Sequence, residues 1–130
     1  MKICFGAVFI LCCVLTGAVA DDRDWVSQRG LFVVSYASEL EPIQINTLHA
    51  WQLHLENAAG DAVLGAVIEV SGGMPVHNHG LPTQPRVTTE LGGGDYRLDG
   101  LRFHMAGPWE ITLIVTAGGS TDTVVIELNL

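Results

Sequence analysis

Beyond residue 20 the chain contains no cysteine and no lysine: Cys4, Cys12, Cys13 and Lys2 all fall within its first thirteen residues. The body of the protein therefore has no disulfide, no thiolate metal ligand and no cysteine nucleophile. Positive charge is scarce throughout. Six basic residues face 14 acidic ones, for a formal net charge of −8. A surface of that sign is repelled by phosphate backbones, which argues against nucleic acid as a partner. Long hydrophobic runs are also missing. The longest, Ile3 to Leu15, falls short of the roughly 20 residues that a spanning helix needs. Enzyme signatures are absent too: no G-x-S-x-G elbow, no H-E-x-x-H pair and no phosphate loop. Asp61, Asp95, Asp99 and Asp122 read as turn residues. No nucleophile–base pair can be assembled, and no enzymatic activity is expected.

The first twenty residues, "MKICFGAVFILCCVLTGAVA", have a basic start, an apolar centre and a small-residue end, the three parts of a secretory signal. Cleavage after Ala20 is expected, which makes the protein periplasmic or secreted; a retained anchor is the alternative. Residues 21–30 read as a flexible polar lead-in and 31–130 as one domain. About 110 residues suffice to fold on a hydrophobic core alone.

The dominant period is two, the signature of half-buried strands. It runs through Leu31–Ala37, through Ile43–Glu56 as one long strand, and through Leu64, Ala66, Ile68 and Val70. It resumes at Arg86–Leu91, at Tyr96 to Met105, at Trp109 to Val115 and at Val124 to Leu130. Turn signals separate these runs: "NAAGD", "GGGD" and "AGGSTD". No window has a helical period. About seven short strands predict an all-β, immunoglobulin-like antiparallel β-sandwich. Trp51 or Trp109 is the candidate core tryptophan, and Tyr96 a candidate corner tyrosine.

The segment "GGMPVHNHGLPTQP" (Gly72–Pro85) carries His77 and His79 between prolines. If it is extended, residues i and i+2 point the same way, so both imidazoles can converge on one metal. Met74 precedes them, and His104-Met105 offers a second His/Met pair from elsewhere. Histidines and methionines without cysteine suit copper better than hard cations, with zinc the other candidate. The same residues also fit a stiff structural loop whose histidines hydrogen-bond carbonyls. On a regular strand His104 and Met105 would face opposite ways. Met105 then sides with Leu101 and Phe103 as core, and His104 is the ligand candidate. His49, on the Trp51 face, is expected to be buried and bonded to the backbone; His54 is expected to be solvated.

The long motif "GGMPVHNHGLPTQPRV" followed by "GDYRLDGLRFHMAGPWEITLIV" resembles the YtkA-like family of small exported bacterial proteins, related to the FixH-like group. The likeness runs from about Leu48 to Leu130. Ala106 stands where the family pattern has Pro. The resemblance implies a β-sandwich and an exported metal-handling role, with copper the usual assignment. The ligand positions it implies are Met74, His77, His79, His104 and Met105. The expected partners are a metal ion and an envelope protein. The rival expectation is a non-catalytic interaction module of the cell envelope with structural histidines.

Overall fold

A computed structural model describes residues 23–130. The expected signal segment and its cleavage site at Ala20 lie outside the described residues. The described residues form nine strands: β1 (Trp25–Val26), β2 (Phe32–Ser38), β3 (His49–Asn57), β4 (Val67–Met74), β5 (His79–Gly80), β6 (Arg86–Gly92), β7 (Asp95–Leu101), β8 (Pro108–Ala117) and β9 (Ser120–Asn129). They make two antiparallel sheets, β1-β2-β3-β7-β6 and β5-β4-β8-β9.

Removing the two-residue strands β1 and β5 leaves seven. Their orders, β2-β3-β7-β6 and β4-β8-β9, match the ABED and CFG sheets of a constant-type immunoglobulin domain. The expected fold class therefore holds down to strand order.

The core follows from the alternation. Trp51, Leu53 and Leu55 of β3, Leu98 of β7, and Ile111, Leu113 and Val115 of β8 are all fully buried. Each large apolar side chain so buried contributes roughly 1.5–3 kcal/mol of transfer free energy. Both candidate tryptophans are core: Trp51 and Trp109 have 0% and 1% of their surface exposed. Tyr96, at the start of β7, donates from its hydroxyl to the Val63 carbonyl at 2.7 Å and accepts the Ala66 amide at 3.1 Å. It thus clamps the β3–β4 connection as a corner tyrosine would, although from the strand equivalent to E rather than F.

Some expected boundaries move. Ile43–Leu48 is not strand; β3 begins at His49. Asn46 sits at φ 63°, a left-handed conformation that ends any ladder, and its amide bonds the Phe103 carbonyl at 2.7 Å. The alternation of Ile43, Ile45 and Thr47 is a coincidence of loop sequence. Leu64 is likewise exposed, ahead of a positive-φ Gly65, and β4 starts only at Val67.

From Trp25 onward the expected lead-in is built into the sandwich. β1 pairs with β2, and the Gln28 amide bonds the Thr123 carbonyl at 2.8 Å. Asp122, expected as a turn residue, is buried and accepts the amides of Arg29, Leu31 and Thr123. Burial pushes its carboxyl up, but hydrogen bonds from Ser27, Thr123, Arg29 and Leu31 outweigh that and hold it at about 2.

Candidate metal centre

Three elements bring the candidate residues together. β4 ends at Met74 and passes directly into a 3-10 turn, Pro75–His77. Proline at the first position of the turn has no amide to leave unpaired. Asn78 follows at φ 52°, one of the few side-chain-bearing residues that adopt the left-handed region readily. It reverses the chain so that His79–Gly80 can pair back on β4, with Met74 opposite His79 and Gly73 opposite Gly80.

The loop is therefore not extended, and the strand argument for His77 and His79 does not hold. The two rings nevertheless meet, 6.2 Å apart between centres with planes at 27°. Gly73 makes this return tight, because a Cβ there would lie 2.5 Å from the His79 carbonyl oxygen. At Gly72 a Cβ would strike Ile111, Leu81 and the Glu110 carbonyl, all under 3.0 Å. The two glycines that open the motif are what let the histidine hairpin lie flat on the sheet.

His104 arrives from the β7–β8 connection. That loop is tied by the Phe103 carbonyl to Asn46, by the Met105 carbonyl to the Trp109 indole at 3.0 Å, and by Gly107 to Leu130 in both directions. Its ring lies edge-on to Trp109 at 5.3 Å and to His79 at 5.9 Å. The result is a row, His77–His79–His104, backed by Trp109.

The methionines exchange their expected places. Met105 is not core: it is 37% exposed, because the chain has left the strand at Leu101 and the alternation carries only as far as buried Phe103. Met74 is the core residue, fully buried. A Cβ at Gly107 would come within 3.0 Å of its terminal methyl, so Met74 supports the His104 loop from beneath.

None of the three imidazoles in the row hydrogen-bonds a described residue. The Nδ1 of His104 is buried without a partner among the described residues, as is the Nε2 of His49, a condition that costs free energy unless some other group satisfies it. Histidines that bind a metal at about 2.0–2.1 Å place ring centres roughly 5 Å apart around a tetrahedral ion. The observed 6.2 and 5.9 Å are somewhat wider. Accordingly, no three His, Cys, Asp or Glu side chains among the described residues already surround one point. His77 and His79 are exposed, and His104 rests against Trp109.

Sequence reasoning missed Trp109 as the support of His104 and Gly72-Gly73 as the seat of the hairpin. The paired glycines before "MPVHNH" were the available signal.

Fold and site together define a small immunoglobulin-type β-sandwich with a row of histidines presented on a short hairpin and an adjoining loop. A family model described as YtkA-like matches residues 33–114. The chain belongs to the YtkA-like family. The match starts earlier than Leu48, stops within β8, and includes all five candidate positions. Among solved structures, a DUF4426 family protein from Pseudomonas aeruginosa PAO1 is similar in fold, with a TM-score of 0.56 at 18% identity over 80% of this chain and 94% of that one. No curated protein matches.

Proposed function

We propose that the protein is an exported, non-catalytic metal-binding domain that binds or delivers copper through His77, His79 and His104, with Met105 or Met74 completing the set. Cleavage after Ala20 would release it to the periplasm or the exterior, with an envelope protein as its partner in metal transfer. The observation that carries the reading is the row of three adjacent imidazoles, none of them hydrogen-bonded to a described residue. A loop pinned by its histidines would spend those nitrogens on carbonyls, as His49 does on Thr47 at 3.0 Å. Thioether and imidazole donors without thiolate favour copper, with zinc the competitor for the imidazoles alone.

Calorimetric titration tests this with Cu(II), with Cu(I) under reductant, and with Zn(II), on the wild type and on His77→Ala/His79→Ala. The double variant should lose more than about 100-fold in copper affinity, since even outer-shell partners of ligands are worth 10–100-fold. Affinity should fall in acid, because imidazole must be neutral to ligate. Cu(II) should also quench tryptophan emission, given Trp109 at 5.3 Å from His104. Equal affinity in the double variant removes the assignment.

A further inference from the structure

An open groove of about 370 Å³ lies beside the histidine hairpin, between the 3-10 turn and the outer face of β8 and β9. Its apolar side is formed by Pro75, Val76 and Pro108. Val76, at the tip of the turn, is 76% exposed. The polar side is Glu110 and Glu127, which are direct cross-strand partners in the β8–β9 ladder.

Like charges placed opposite each other on a sheet face oppose folding, because directly paired side chains stand about 5 Å apart. Neither glutamate makes an ion pair or hydrogen bond with a described residue. The cation that also lines the groove, Arg23, stands over the Trp25 ring at 5.6 Å and forms no ion pair with either carboxylate. Such an arrangement sets an apolar wall against two adjacent carboxylates that have no ion pair among the described residues.

We propose that this groove is a docking surface for a partner protein segment in which an arginine or lysine stands next to an apolar side chain. The apolar residue packs on Val76 and Pro108, and the cation lies between Glu110 and Glu127. Charge settles the choice among occupants. A second copy of this chain carries a net charge of −8 and is repelled, as is an anionic lipid surface. A basic partner segment is attracted and also relieves the cross-strand repulsion. Because the groove shares the Pro75–His77 turn with the candidate metal centre, a partner bound there would lie against the imidazoles. The proposal itself does not depend on copper.

The test uses a fluorescein-labelled peptide of alternating leucine and arginine, and the same peptide with glutamate replacing arginine. Anisotropy is measured against the protein in the presence of EDTA. The arginine peptide should bind saturably and the glutamate peptide at least about tenfold more weakly. Glu110→Gln/Glu127→Gln should weaken the arginine peptide by about tenfold or more, and Val76→Ser by several-fold. Circular dichroism confirms that both variants are folded. Raised salt should weaken binding, as for any contact steered by charge. Absence of saturable binding, equal binding of the two peptides, or no effect of the glutamine pair overturns the proposal. A concentration-dependent dimer abolished by Val76→Ser would also overturn it in favour of self-association. Copper titration of the glutamine pair keeps the two readings separate: unchanged copper affinity with lost peptide binding supports both, and peptide binding that persists in His77→Ala/His79→Ala holds even if copper binding fails.

Discussion

The five histidines divide into two groups that the fold treats differently. His49 and His54 lie in β3 and are spent on structure. His49 is 8% exposed, packs its ring 5.7 Å from Phe103 and 6.5 Å from Trp51, and bonds the Thr47 carbonyl. His54 faces outward and contacts Asp95 at 2.6 Å and Glu56 at 3.3 Å, so it is paired rather than merely solvated. His77 lies beside His79, His79 beside His104 and His104 against Trp109, but none of the three hydrogen-bonds a described residue. Residue type is the same in both groups; what differs is whether the surroundings of the ring supply partners. Those of β3 do: Asp95 on neighbouring β7 and Glu56 for His54, and the Thr47 carbonyl just ahead of the strand for His49. A hairpin and a loop at the margin of the sheets do not, and their imidazoles stay available.

Removing a structural histidine should give the largest effect on stability. His49→Ala deletes a buried ring from between Trp51 and Phe103. The cavity should cost about 2–4 kcal/mol, within the range for large-to-small core substitutions. Urea denaturation with an unchanged m-value measures it. A loss below about 0.5 kcal/mol would mean that β3 does not depend on its bonded histidine, and the division would blur.

His54 gives a smaller, pH-dependent effect. The hydrogen bond to Asp95 raises its pKa from 6.5; desolvation opposes that shift and Glu56 adds to it. A raised folded-state value means the stabilisation is fully present below pH 6.5. It is lost as pH rises through the higher folded value. The side chain is 40% exposed, so solvent screening should keep the contribution under about 1 kcal/mol. The melting temperature of the wild type relative to His54→Gln should decline slightly as pH rises above 6.5 and through the raised folded value. Parallel profiles for the two proteins would remove the pairing as a source of stability.

The sequence makes this division partly legible. Alternation around Trp51, Leu53 and Leu55 places His49 inside and His54 outside, and the structure agrees. Alternation fails where the chain is not a strand. It ran falsely through Ile43–Leu48, where the left-handed Asn46 breaks the ladder. It also sent Met105 to the core, when the chain had already left β7. Asp122 shows a different limit: a turn aspartate and one that anchors β1 and β2 from beneath look identical in local sequence. The cross-strand meeting of Glu110 with Glu127 is a fact of register, invisible until β8 and β9 are aligned. That His104 lies beside His79 is not legible in the sequence, which separates the two by 25 residues. Their meeting rests on a 3-10 turn, a left-handed Asn78 and two glycines rather than on the extended backbone expected there.

The smallest expected change is the one that sharpens the comparison most. His77→Ala/His79→Ala should alter the stability of the metal-free protein by no more than about 0.5 kcal/mol, as for exposed substitutions away from any cap, core or network. Both side chains are exposed, neither is hydrogen-bonded to a described residue, and the hairpin is held by backbone pairing of Met74 with His79 and Gly73 with Gly80. Thermal unfolding in EDTA measures it. If the histidines were structural, as the interaction-module reading requires, the same variant would melt several degrees lower without any metal present. A neutral result there, beside the large loss at His49→Ala, would locate the difference between the two groups in function rather than folding.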